Sequence, residues 1–252
     1  DLEVINFGVS AYGLDQSYLR HIKKGKKYDT DFVFIGYMTE NIYRHRNRFR
    51  PFLYHDTGVP LSKPMFKTKN EGLALIPSYF KSANQYRELL ENKDNTIKQL
   101  GVDDFYYETS NSGKSVFNFS PSFKIFKILR SNVLRRLNLP YQENSDVLKT
   151  TKILFDKFYA DVKFLEQTPI IVIFPNHIDI KRCQEGQSKN HMILLNHFKS
   201  QKYNYIDLTD SLCNYKTEDI FSGHYNAYGN KLVASYLAKS LKENRFIEQL
   251  LR

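Results

Sequence analysis

Pro169-Ile170-Ile171-Val172-Ile173-Phe174-Pro175 is an unbroken apolar run closed at both ends by proline. Without polar alternation it reads as a strand buried on both faces, the kind found in the middle of a parallel sheet. Upstream, Val147, Leu148, Phe155, Phe158 and Val162 recur at helical spacing and lead into it. Downstream, Met192 to Phe198 reads as a short helix, Tyr203 to Leu208 as a strand, and Gly229 to Leu241 as a terminal helix. That last helix gathers Leu232, Val233, Tyr236, Leu237 and Leu241 on one face. Helix and strand alternating in this way predict a doubly wound α/β domain.

The N-terminal end repeats the grammar. Leu2 to Phe7 is a β-favouring run that opens into the turn Gly8-Val9-Ser10-Ala11-Tyr12-Gly13. Tyr18, Leu19 and Ile22 then follow at helical spacing up to Gly25, and Asp31 to Met38 reads as a continuously buried strand. Strand, helix and strand in this order predict a parallel βαβ unit. Residues 46–144 show turn signals, aromatics and basic runs without a clean βα period, and read as an insertion or cap within one domain of 1–252. Inside it, Phe123 to Leu137 sets Phe126, Leu129, Val133 and Leu137 on one face with Lys127, Arg130, Arg135 and Arg136 elsewhere. This is the form of a basic amphipathic helix, suited to docking on its own domain, to capping a substrate, or to contact with a membrane surface over 123–137.

With 41% hydrophobic and 25% charged residues the composition is that of a globular protein, and no apolar run approaches the roughly 18 residues of a membrane span. The net charge of +10 suits an anionic partner or serves solubility alone. No recognition helix, zinc finger or RNA-binding signature accompanies it, so no nucleic-acid partner is expected. Cys183 and Cys213 lie far apart without metal-type spacing, and neither a disulfide framework nor a zinc site is expected. No cofactor or metal motif is present, and the compartment and oligomeric state stay open.

Ligands of open parallel sheets bind beyond the carboxyl ends of the strands, which directs attention to the loops after Phe7, Met38, Phe174 and Leu208. Gly8 either lets a backbone N–H face an oxyanion or simply makes a turn. Ser10 is a turn residue or, in a context unlike a nucleophile elbow, an alternative nucleophile. Asn41 either donates its amide to an oxyanion or caps a helix. Arg44, followed by His45, Arg46, Arg48 and Arg50, either holds an anionic substrate group or forms a solvated face. His224, in the polar loop Asp219 to Gly229 before the last helix, has the chemistry of a general base.

Three of these stretches resemble the SGNH (GDSL-like) hydrolase superfamily. Asn6-Phe7-Gly8 through Gln16 resembles its second block, which implies an oxyanion-hole N–H from Gly8. Asp31 to Asn41 resembles the third, with Glu40-Asn41 where Asn-Asp is usual, and implies the same role for the Asn41 amide. His224 with Asn226, Gly229 and the apolar helix resembles the fifth, in which histidine activates serine; Phe221 stands where the family carries aspartate, leaving Asp219 as the nearest carboxylate. The Gly-Asp-Ser block that carries the nucleophile does not occur in these residues, and the chain is expected to begin inside a longer protein. The resemblance implies a flavodoxin-like three-layer α/β/α fold with a parallel sheet. It implies a serine ester hydrolase or O-acyltransferase acting on a carbohydrate or lipid ester, with Ser10 and Arg44 near the substrate. A catalytically inactive binding module for a polysaccharide or anionic surface is the alternative. An upstream signal or anchor would place the protein outside the cytoplasm or at a membrane.

Overall fold

The computed structural model describes residues 3–54, 57–70, 72–107, 119–136 and 139–243, with the backbone alone at 131, 132, 134–136 and 139. Along them run α1 (Leu14–Lys23), β1 (Phe32–Met38), α2 (Arg50–Leu53), β2 (Met65–Lys69), β3 (Gly72–Ile76), α3 (Glu88–Glu91), α4 (Lys93–Gly101) and α5 (Pro121–Arg136). They continue with α6 (Asp146–Phe164), β4 (Thr168–Phe174), α7 (His177–Gln184), α8 (Met192–Ser200), β5 (Tyr205–Asp207), α9 (Thr209–Leu212), α10 (Thr217–Ile220), β6 (Phe221–Ser222), β7 (His224–Tyr225) and α11 (Ala227–Glu243). No helix among the described residues is long and apolar enough to cross a membrane. The chain divides into two compact units, Asp1–Arg20 with Asn41–Leu154 and His21–Glu40 with Phe155–Arg252.

The second unit is α/β, built on a three-stranded parallel sheet in the order β1-β4-β5. Phe32 pairs with Thr168 and Met38 with Phe174, and on the other side Ile171 pairs with Tyr205 and Ile173 with Asp207. As the apolar run of β4 requires, Ile170, Ile171 and Ile173 are fully buried, each contributing about 1.5–3 kcal/mol of transfer free energy. On one face of the sheet Ile170 and Val172 form a core with Ile180, Ile206, Leu208, Leu212 and Ile220, and the expected stripe of α11, Leu232 to Leu241, packs against it. The face of β1 that carries Ile35 and Tyr37 is buried, with the Tyr37 ring edge-on to Phe155 at 5.3 Å.

The other face of β1 departs from expectation, because Phe34 stays 46% exposed and the strand alternates instead of burying continuously. A flanking position in the sheet, with one covered face, is enough to hold it. A larger correction concerns the first expected strand. Residues 3–9 have no regular structure, Val4 is 85% exposed, and Leu2 lies outside the described residues. Residues 3–7 have β propensity, but among the described residues no strand pairs with them, so the βαβ unit expected over 2–38 retains only α1 and β1.

The first unit has its own core of Phe49, Phe52, Leu53, Phe80, Leu100 and Tyr106, and it contains the antiparallel hairpin of β2 and β3. Its polar centre is Asp104, which accepts N–H bonds from Arg48 (2.5 Å), Phe49 (2.9 Å) and Tyr106 (2.9 Å) and from the Asn47 amide (2.9 Å). Burial pushes the Asp104 carboxyl up to about 6, against the pull of those backbone donors.

Cys183 and Cys213 form a disulfide, contrary to the expectation drawn from their spacing. Their separation of 30 residues says nothing of distance once α7 and α9 pack together, with Cα atoms 5.8 Å apart.

Candidate active site

Because β1, β4 and β5 are parallel, the loops that follow them leave the same end of the sheet. After β1, the buried Thr39 hydroxyl donates to the Asp179 carboxylate and accepts from Asn176 Nδ2 at 3.2 Å. Asn176 caps α7, its Oδ1 accepting from Ile178 N at 2.8 Å and Asp179 N at 3.1 Å, while Asp179 returns the bond to Asn176 N at 3.1 Å. This reciprocal cap fixes the start of α7 beside the end of β1.

His224 reaches the same end on a two-residue hairpin. Ser222 pairs with His224 and Phe221 with Tyr225, and Gly223 turns the chain at φ +75°, a conformation that glycine adopts without strain. The hairpin is anchored on the loop after β4, where the Tyr225 hydroxyl donates to the Pro175 carbonyl at 2.5 Å. Burial, with the charges of Asp179 and Asp207, pushes the Tyr225 phenol up, so it stays protonated as the donor this bond needs. Asn226 then starts α11, its Oδ1 accepting from Gly229 N at 2.9 Å, while its own amide donates to the Asp219 carbonyl at 2.8 Å. Gly229 is required by packing: a Cβ there would stand 2.3 Å from the Ile220 carbonyl oxygen.

These contacts leave the His224 side chain exposed on a braced turn, where an imidazole can accept or donate a proton. Asp219 lies in α10, close to the hairpin in sequence, and its backbone is what holds Asn226. Among the described residues no carboxylate hydrogen-bonds the His224 ring.

A charged cluster at the end of β5 was not singled out from the sequence. Asp207 accepts from Lys189 Nζ at 2.8 Å and from the Thr209 hydroxyl at 2.6 Å, with His191 Nε2 at 3.4 Å. Lys189 also reaches Asp210 at 2.7 Å. Burial works against the ionised Asp207, but His191, Lys189 and Thr209 outweigh it and hold the carboxyl well below the usual carboxylate range. An acidic residue, Asp207, next to last in the expected strand Tyr203 to Leu208 was the available signal. Among the described residues no group of three or more His, Cys, Asp or Glu is placed to hold a metal ion.

Gly8, Ser10, Asn41 and Arg44 belong to the first unit. The Gly8 N–H is held by Asn6 Oδ1 at 2.8 Å, so an oxyanion would have to displace that side chain. Ser10 is exposed in a turn closed by Tyr12 N to Val9 O at 3.3 Å. Asn41 stands on the 3₁₀ turn Thr39–Arg46, its Oδ1 buried without a hydrogen-bond partner among the described residues. Arg44 Nη1 donates to the Tyr12 carbonyl at 2.9 Å and so ties the loop after Gly8 to that turn.

The arginines that follow make contacts within the unit. Arg46 stacks on Phe105 at 3.4 Å, Arg48 donates to the Pro77 carbonyl at 3.1 Å, and Arg50 donates to the Thr57 hydroxyl at 3.2 Å. Their guanidinium planes find aromatic faces and carbonyl oxygens within the unit. Comparison of the chain with protein families, with curated proteins and with solved structures finds no match.

Proposed function

We propose that this chain belongs to an SGNH-type serine ester hydrolase or O-acyltransferase of three-layer α/β/α architecture, with His224 as its general base. The observation that supports it is the exposed His224 on a braced hairpin at the carboxyl end of a parallel sheet, directly before the apolar α11. The nucleophile in this reading is a serine of a Gly-Asp-Ser block, which these 252 residues do not contain. His224 takes the serine proton as Oγ adds to the ester carbonyl. It returns the proton to the leaving alkoxide as the ester C–O bond breaks, and water or an acceptor alcohol then removes the acyl group. The SGNH resemblance alone assigns oxyanion donation to the Gly8 N–H and the Asn41 amide, which belong to the first unit. The Cys183–Cys213 disulfide suits an oxidising compartment, and we place the activity there.

The test is hydrolysis of p-nitrophenyl acetate by the full-length polypeptide, with labelling by a fluorophosphonate probe. His224→Ala is expected to lower kcat at least about a thousandfold while leaving the melting temperature in place, and Asn41→Ala about a hundredfold. A second reading is an inactive SGNH-like binding module, favoured by the absence, among the described residues, of a carboxylate bonded to His224 and by the engaged Gly8 N–H. Folded protein that neither turns over the ester nor takes the probe would establish that reading and sink the first.

A further inference from the structure

α5 presents an apolar stripe to solvent. Ile125, Leu129 and Val133 follow one another at four-residue steps with Phe126 beside them, and they are 58%, 57%, 54% and, for Phe126, 58% exposed. Four large apolar side chains at helical spacing form one continuous face, unlike the scattered apolar residues of an ordinary surface. Elsewhere on the helix Phe123 and Lys127 are half-buried, the Lys127 ammonium 5.5 Å from the centre of the Phe123 ring. Leu137, the last residue of the expected stripe, lies outside the described residues.

Charge identifies what the stripe meets. From Thr109 to Gln142 the sequence has six cationic residues, Lys114, Lys124, Lys127, Arg130, Arg135 and Arg136, and no aspartate or glutamate. More than half of the net charge of +10 therefore sits in this one stretch around the helix. Lys124 and Arg130 are exposed within the same turns as the apolar residues. An apolar stripe flanked by cations and free of acids matches the surface of an anionic bilayer. There the apolar face enters the acyl boundary while the cations stay among the headgroup phosphates. A second copy of the chain is a poor occupant, because α5 against α5 would bring cations together without an acid to offset them. Nucleic acid would use the cations and leave the apolar face unexplained.

We propose that α5 is a membrane-surface docking helix that seats the protein on anionic phospholipid. This holds for an enzyme and for a binding module alike, and is independent of His224. The experiment is co-flotation of the 252-residue chain with vesicles of phosphatidylcholine alone or mixed with phosphatidylglycerol, at low and high salt, with circular dichroism to confirm that each variant folds. The chain is expected to float with the mixed vesicles, not with phosphatidylcholine alone, and to be released by salt. Lys124→Glu with Lys127→Glu and Arg130→Glu should lower the partition coefficient about a hundredfold. Ile125→Ser with Leu129→Ser and Val133→Ser should lower it at least about tenfold. Failure to float with the mixed vesicles overturns the proposal, as does binding that either triple variant leaves unchanged. A dimer in solution that the serine variant dissociates would assign the face to a second copy instead.

Discussion

Two residues show how much of this fold hangs on single atoms. Asp104 Oδ2 alone accepts from Arg48 N, Phe49 N and the Asn47 amide, and Oδ1 accepts from Tyr106 N. Asp104→Ala removes the acceptor and leaves those buried donors orphaned, at an expected cost of at least about 3 kcal/mol, measured by urea denaturation. Asp104→Asn retains one acceptor oxygen and should cost less; equal losses would show that both carboxylate oxygens are required as acceptors. Gly229 is the second. With the Ile220 carbonyl 2.3 Å from a built Cβ, Gly229→Ala must push α11 away from the loop that holds His224. Overpacking of this kind costs about 1–3 kcal/mol. On the proposed function it also lowers kcat more than KM, which steady-state kinetics on the full-length enzyme would read. Gly229 was legible as part of a family resemblance, but the reason for a glycine there, a carbonyl nine residues earlier in the chain, became visible only with the loop folded.

Among the elements, β4 and α6 were the most legible. A continuous apolar run can be nothing but buried, and β4 fills the middle of its sheet. Val147, Leu148, Phe155, Phe158 and Val162 of α6 are all buried, as their spacing required. Short elements were less so, since β5 keeps three residues of the six expected and β6 and β7 have two each. α7 and α9 are short as well, with eight and four residues, and are locked together by the disulfide. Closing a loop with a sequence separation of 30 is worth about 3.5 kcal/mol in the chain-entropy account. Cys183→Ser, or reduction of the wild type, is expected to lower unfolding free energy by that order. Unchanged denaturation midpoints with and without dithiothreitol would show that helix packing carries the region by itself.

For the molecule as a whole, acid is the informative perturbant, because two buried groups of the first unit titrate in opposite senses. His45 is fully buried, bonded to the Thr151 hydroxyl at 2.8 Å, and burial lowers its pKa from 6.5 to about 4, with Asp15 opposing and Lys63 and Arg44 assisting. The unfolded chain protonates this histidine first, so the stability it contributes is complete above pH 6.5 and is lost as pH falls toward 4, by about 3 kcal/mol. Asp104 behaves oppositely. Its folded pKa of about 6 lies above the unfolded 3.8, so stability rises by about 3 kcal/mol as pH falls through that window. Wild-type stability is therefore expected to be nearly level between pH 6 and 4. In Asp104→Asn it should fall with acid, and in His45→Gln it should rise. Parallel pH dependences for all three proteins in urea titrations would refute the pairing. Below pH 4 the Asp207 carboxylate, held low by Lys189, His191 and Thr209, takes over, and stability falls as it protonates.

What the sequence by itself determined was whatever depends on neighbours along the chain. Periodicity and continuous apolar runs specify α6, β4, α8 and α11, since each buries a face that its own spacing defines. The histidine loop before α11 was legible for the same reason, being a polar interruption directly before an amphipathic helical stripe. The tertiary structure decided what depends on partners distant in sequence. It left residues 3–9 without a strand to pair with and joined Cys183 to Cys213. It turned Arg46, Arg48 and Arg50 onto aromatic rings and carbonyls. It also gathered Lys189, His191, Asp207 and Thr209 at the end of β5. A side chain's chemistry is written in its own position, but its pairing is a property of distance, and only the folded chain sets that.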